Sequence, residues 1–128
     1  MLRPSRSVLI VDDDAEVQKT FGEWLTAEGY DVRRAVDGEA ALADTAHVDA
    51  MVVDFRMPTL DGLGFLRQLR SRGERTPVVV VTGDYLLDES VMDEFRRLDA
   101  QIMFKPLWLD ELTALVSQLV DRSREARP

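Results

Sequence analysis

Five residues of this chain carry groups that could act together on one small charged substrate: Asp12, Asp13, Asp54, Thr82 and Lys105. Each follows or closes a short apolar or β-branched run. Ser7-Val8-Leu9-Ile10-Val11 stops at Asp12-Asp13-Asp14, and Ala50-Met51-Val52-Val53 stops at Asp54. Val78-Val79-Val80-Val81 ends at Thr82, and Gln101-Ile102-Met103-Phe104 delivers Lys105. Runs this short and this apolar read as strands of a parallel sheet, each bringing one polar side chain to the sheet's rim. Three carboxylates gathered there repel, a pair at about 4 Å by about 4 kcal/mol at an effective dielectric of about 20. A hard divalent cation with oxygen ligands compensates, and Mg²⁺ suits a site with few protein ligands and room for water and a phosphoryl oxygen. Lys105 supplies the fixed positive charge, and Thr82 the hydroxyl donor, that a transferring phosphoryl group needs. Together these parts describe phosphoryl transfer onto a carboxylate, with Asp54 as nucleophile. An ordinary aspartate, with a pKa of about 3.9, is ionised at neutral pH and needs no general base. His47, the one histidine, is assigned no role.

Such a rim exists only if helices return the chain between parallel strands, and the intervening segments read that way. Asp14 can cap a helix carrying Val17, Phe21, Trp24 and Leu25 and ended by Gly29. Gly22 inside it costs about 1 kcal/mol relative to alanine, which signals close packing. Residues 30–35 are apolar only in alternation, as suits an edge strand. Asp37-Gly38 opens a short helix over 39–45. After Asp54, Met57-Pro58 makes a stiff turn, Asp61-Gly62 reads as turn chemistry, and a helix follows over 62–72 with Leu63, Leu66 and Leu69 on one face. A fourth helix opens near Asp88 and turns Val91, Phe95 and Leu98 inward. The last, over 109–122, carries Leu112, Val116, Leu119 and Val120. Phe21, Trp24 and Phe95 are expected in the core. Tyr85-Leu86-Leu87 reads either as a partner-binding edge or as a loop folded back on the sheet. Strands alternating with helices define an α/β fold, a doubly wound parallel sheet whose ligands bind beyond the strands' carboxyl ends.

Composition narrows the function classes. At 128 residues the chain is one domain by size, with 45% apolar and 31% charged residues, ordinary for a globular protein. Sixteen Lys and Arg against 24 Asp and Glu give a net charge of −8, which argues against direct nucleic-acid binding. Arg67, Arg70, Arg72 and Arg75 accordingly read as a solvated helix end. No apolar run approaches the roughly 18 residues of a membrane span, and the first six residues lack a signal peptide's apolar core. There is no cysteine, hence no disulfide or thiol chemistry. The cytoplasm is the expected compartment.

Asp12-Asp13 after the first strand, Asp54 with Met57-Pro58 and Asp61-Gly62, Thr82-Gly83, and Lys105-Pro106 together resemble the receiver domain of bacterial two-component response regulators. The resemblance covers residues 7–120, leaving 1–6 as an N-terminal extension and 121–128 as a polar tail or the start of a linker. It implies a chemotaxis-regulator-like, flavodoxin-like three-layer sandwich around five parallel strands in the order 2-1-3-4-5. It implies that Asp54 accepts a phosphoryl group from a histidine kinase or histidine phosphotransfer protein. Asp13 and Asp54 then resemble direct Mg²⁺ ligands, with Asp12 acting through water and the backbone carbonyl of Arg56 completing the site. Lys105 matches the family's lysine, and its bond to Pro106 is expected to be cis. Thr82 matches the switch hydroxyl. Asp14, Ala15 and Gln18, with Pro58 and Pro106, match the face that docks the donor, and Arg56 and Asp84 match places that tune phosphoryl lifetime. Such a protein is a switch acting on a downstream protein target, without nucleic acid or membrane, as a monomer or a phosphorylation-dependent dimer. It assists its own phosphorylation and dephosphorylation rather than acting as an enzyme on others. Two departures stand out. The switch position three residues before the lysine, usually aromatic, is Ile102, and the usual small-residue turn before the last strand reads Leu98-Asp99-Ala100-Gln101.

Three other readings compete. A flavin-binding protein of the same sheet order must cradle a phosphate in its first loop, which Asp12-Asp13-Asp14 would repel. A phosphatase with an aspartyl nucleophile carries a second Asp two residues on as acid and base, and here that residue is Arg56, which cannot exchange a proton at neutral pH. A receiver-shaped scaffold that works without phosphorylation is the third, favoured by Ile102 and opposed by the presence of all five rim residues. The chain also reads as either a stand-alone protein or a receiver segment of a larger regulator.

Overall fold

The computed structural model describes residues 6–125. Five strands, β1 (Ser7–Val11), β2 (Asp31–Ala35), β3 (Ala50–Asp54), β4 (Val78–Thr82) and β5 (Ala100–Phe104), alternate with five helices. The helices are α1 (Ala15–Ala27), α2 (Gly38–Leu42), α3 (Gly62–Ser71), α4 (Glu89–Arg97) and α5 (Leu109–Glu125). The strands pair in parallel in the order β2-β1-β3-β4-β5, the expected doubly wound sheet. β1, β3 and β4 are buried along their whole length because helices cover both faces, and this is why they read as unbroken apolar runs. β2, at the edge, is exposed or half-exposed in four of its five residues.

Alternation along the central strands splits the core in two. Leu9, Val11, Met51, Val53, Val78 and Val80 face Leu42, Phe65, Leu66, Leu69 and Phe95 from α2, α3 and α4. Val8, Ile10, Ala50, Val52, Val79 and Val81 face Leu25, Leu112, Val116 and Leu119 from α1 and α5. Each such side chain contributes roughly 1.5–3 kcal/mol by leaving water. The two layers clamp the sheet and fix where its strands end.

Three helices begin on an aspartate whose carboxylate accepts backbone N–H bonds: Asp14 from Glu16 and Val17, Asp37 from Ala40, and Asp61 from Gly64. Asp88 occupies the corresponding position of α4 without a side-chain bond, and Phe95 is that helix's one fully buried residue. A bidentate ion pair of Arg67 with Glu94 and a bond from Arg70 to the Leu98 carbonyl tie α4 to α3. α4 is therefore the helix held least by the core.

The structure corrects the reading of α1. Its buried stripe is Gln18, Gly22 and Leu25, so Phe21 is only partly buried and Trp24 is 37% exposed, its indole N–H donating to the Thr113 hydroxyl on α5. Gly22 sits under the Arg34 guanidinium, the close packing its cost in a helix implied. Gln18 is 5% exposed and is not part of a docking surface. Its amide Nε2 lies 3.1, 3.0 and 2.7 Å from the carbonyl oxygens of Ile10, Asp12 and Ala35, and so ties α1 to the ends of β1 and β2. The other differences are at element ends. α2 stops at Leu42, and α5 continues to Glu125, three residues beyond its expected end. There Arg124 reaches the buried Asp49, 3.2 Å away, which also accepts the Ser7 N–H at 2.8 Å. Residues 1–5 and 126–128 of the expected terminal segments lie outside the described residues.

Removing the Gln18 amide withdraws a buried donor from three carbonyls. Gln18→Ala should lower stability by about 1–3 kcal/mol, read as a lower urea midpoint, whereas Ala15→Gly on the exposed first turn should cost a few tenths to about 1 kcal/mol. A residue that only docks a partner would leave the midpoint where it is.

Candidate functional site

Parallel register brings the polar ends of four strands together. Val11 lies beside Val53, Asp54 beside Val81, and Thr82 beside Phe104, so the residues at or after these positions share the carboxyl rim. Asp12, Asp13 and Asp54 each offer a carboxylate oxygen within 4.8 Å of the others. Lys105 Nζ lies 3.3 Å from Asp54 Oδ1, and its backbone N–H donates to the Thr82 carbonyl at 2.8 Å. The Lys105–Pro106 peptide bond is cis. Asp12 Oδ1 accepts the Asp14 N–H at 2.8 Å, and Thr82 Oγ1 accepts the Asp84 N–H at 3.0 Å. The five residues expected at one rim are at one rim.

Burial and like charge set the electrostatics. Asp12, 5% exposed, has its pKa pushed up from 3.8 to about 6, chiefly by burial and further by Asp54 and Asp13, against the Asp14 N–H and Lys105. Burial also raises the Asp54 carboxyl, with Lys105 opposing by charge and hydrogen bond. Lys105 thus offsets only part of the negative charge. Three hard oxygen donors within reach of one point, short of positive charge, fit a divalent cation of the Mg²⁺ class.

The loop after β3 is built tightly around Asp54. The Leu60 N–H donates to the Pro58 carbonyl at 2.8 Å, closing a γ-turn on Thr59, whose φ of 70° is unusual for a β-branched residue. The Gly62 N–H donates to the Phe55 carbonyl at 2.8 Å. A Cβ on Gly62 would lie 2.9 Å from the Asp54 carbonyl oxygen and 3.0 Å from the Phe55 Cα. Asp61-Gly62 is therefore more than turn chemistry, because α3 starts hard against the backbone of the strand that ends at Asp54. The signal available in the sequence was a glycine directly after a capping aspartate.

Around the rim, Asp13, Asp14, Ala15, Pro58 and Pro106 are exposed, whereas Gln18 is not. Arg56 Nη2 pairs with Asp84 Oδ2 at 2.8 Å, and its guanidinium lies 5.8 Å from the centre of the Phe55 ring. Ile102 is half-buried against the α2, α3 and α4 side of the core. An aromatic residue does stand on that strand, two positions further on: Phe104 stacks on Tyr85 with ring centres 5.5 Å apart. Tyr85 thus folds back onto the strand end, while Leu86 is 90% exposed.

A 2-1-3-4-5 sheet with an acidic carboxyl rim faced by one lysine defines a receiver-type module. The family model described as the response regulator receiver domain matches residues 8–117, and the chain belongs to that family. It is similar to the response regulator MprA of Mycobacterium avium (strain 104), 39% identical over 122 residues, which cover 91% of this chain and 52% of that protein. It spans about half the length of the curated relatives it matches. Among solved structures it is similar to the receiver domain of the Francisella response regulator 1452, with a TM-score of 0.82 and 30% identity, covering 93% of this chain and 99% of that one. It is also similar to the chemotaxis protein CheY4 of Vibrio cholerae, with a TM-score of 0.81 and 26% identity, covering 91% and 99%.

The Asp12 carboxyl titrates higher in the folded protein than its ordinary value, so its contribution to stability is fully present below pH 3.8 and is lost as pH rises through about 6. The shift corresponds to roughly 3 kcal/mol. In chelator, wild type should lose stability relative to Asp12→Asn as pH is raised over that window, and Mg²⁺ should restore it at neutral pH; urea midpoints check both. Gly62→Ala should cost about 1–3 kcal/mol by overpacking against backbone. Gly64→Ala, which meets chiefly the movable Leu60 side chain, should cost less.

Proposed function

We propose that Asp54 accepts a phosphoryl group from a phosphohistidine of a histidine kinase or histidine phosphotransfer protein, and that the chain acts as a cytoplasmic switch on a downstream protein. The observation that carries the reading is a carboxylate still 9% exposed that touches the one lysine of the rim, 3.3 Å away, within reach of two further carboxylates. Asp54 Oδ attacks phosphorus in line. The O–P bond forms as the N–P bond of the donor breaks, and the departing imidazole keeps the electron pair and takes a proton from solvent. Lys105 neutralises charge on the transferring oxygens. The Thr82 hydroxyl, accepting from Asp84 N–H, keeps its own hydrogen to donate to one of them. Asp12, Asp13 and Asp54, with the Arg56 carbonyl, would hold Mg²⁺, which when bound supplies further charge neutralisation at the phosphoryl oxygens. Hydrolysis of the acyl phosphate by water resets the switch.

Asp14, Ala15, Pro58 and Pro106 form the proposed docking face for the donor: all are exposed, on loops or a helix start beyond the sheet's carboxyl edge. Their placement supports the reading because a donor must reach Asp54 from that side.

Incubation with a small phosphodonor such as phosphoramidate should yield a hydroxylamine-labile adduct, located on Asp54 by peptide mass spectrometry. It should depend on Mg²⁺, vanish in Asp54→Asn and form at least about tenfold more slowly in Lys105→Ala, the loss of one charge contact worth about 1.4 kcal/mol or more in the transition state. A wild-type chain that stays unmodified would favour the phosphorylation-independent scaffold.

A further inference from the structure

We propose that Arg56 trades partners: it holds Asp84 while Asp54 is unmodified and turns to the phosphoryl oxygens once Asp54 carries them, releasing the loop that begins at Gly83. The inference rests on the reading of Asp54 as phospho-acceptor and assigns Arg56 and Asp84 as its positioning residues.

The bonds that support it run without a gap across the rim. Arg56 Nη2 lies 2.8 Å from Asp84 Oδ2, joining the loop after β3 to the loop after β4. The other Asp84 oxygen accepts the Leu86 N–H at 3.0 Å, and the Asp84 N–H donates to Thr82 Oγ1 at 3.0 Å. One arginine therefore fixes the residue that fixes the Thr82 hydroxyl, and Thr82 stands one position beyond Val81, the neighbour of Asp54 in the adjacent strand. The Thr82 hydroxyl accepts from Asp84 and is free to donate, so a change at Asp84 reaches the group that faces a phosphoryl oxygen.

Strengths decide which partner Arg56 keeps. The Arg56 side chain is 75% exposed, and an ion pair in water is weak and screened by salt. A phosphoryl group brings nearly two negative charges and three acceptor oxygens, and a guanidinium meets such oxygens with two parallel N–H bonds. Arg56 leaves the backbone two residues after Asp54, and its guanidinium lies over the ring of Phe55, the residue next to that carboxylate in the chain. Asp84 then loses its one ion pair among the described residues. The Tyr85–Phe104 stack remains as the loop's other anchor, a hinge rather than a lock.

The test uses the full chain, labelled with ¹⁵N, and reads the Arg56 Nε–Hε resonance and hydrogen exchange of amides 84–87 before and after treatment with phosphoramidate and Mg²⁺. Asp84→Asn keeps an oxygen for the Leu86 N–H and removes only the charge; Arg56→Ala removes the other partner, and Arg56→Lys keeps the charge without the fork. Before modification, exchange at 84–87 should be about fivefold faster in Asp84→Asn and Arg56→Ala than in wild type, the reach of an exposed pair, with Arg56→Lys between. Raised salt should move unmodified wild type the same way. Phosphorylation should shift the wild-type Arg56 resonance and raise its loop exchange to the level of the variants, which should themselves rise little further. An Asp54 adduct with the Arg56 resonance and loop exchange unmoved, or variant loops that exchange like wild type, would overturn the proposal alone. No adduct in any chain would overturn the acceptor reading and this inference with it.

Discussion

Three carboxylates held within 4.8 Å of one another, two of them nearly out of water, set the terms for the rest of the molecule. Burial first, and their shared charge second, raise the pKa values of Asp12 and Asp54, so that left to themselves these carboxylates would move apart or take up protons. They stay because each is fixed at a strand end or one or two residues beyond it, and the strands are clamped between two apolar layers. The hydrophobic core does electrostatic work here: it stores the repulsion of the rim. Lys105 relieves part of it, and the rim keeps an excess of negative charge.

That division of labour explains the uneven strength of the fold. Everything that positions Asp54 is rigid: buried strands on either side, a γ-turn on Thr59, and a glycine packed against the Asp54 carbonyl. The β4–α4 side is different. α4 contributes one fully buried residue and otherwise leans on Arg67, Arg70 and partly buried apolar contacts. Local stability follows such contacts, so this side has the lower local stability.

The rim was legible in the sequence because strands buried on both faces leave no ambiguity of period, and each run stops abruptly at its functional residue. Four such stops in order, carrying five site residues, also carried the family. α1 was harder. Val17, Phe21, Trp24 and Leu25 suggested the inward face by hydrophobicity, yet of these only Leu25 is in the buried stripe, which is Gln18, Gly22 and Leu25. Gln18 is inside because strand-end carbonyls need a donor, and Gly22 because Arg34 lies over it. Neither reason is visible in a local window. The true end of α5 was hidden likewise, since residues 121–125 are all polar and one of them, Arg124, meets Asp49 from the far side of the chain. The Arg56–Asp84 pair spans 28 positions and could not be read from spacing.

The anchoring of α5 has a mechanical meaning. The helix starts four residues after Lys105 and, at about 1.5 Å per residue, carries the chain roughly 25 Å to the sheet's other pole. There Arg124 is moored to an aspartate just ahead of β3, which also grips the first residue of β1. The pole opposite the acidic rim is thereby cross-linked through one carboxylate that joins α5, β1 and the start of β3.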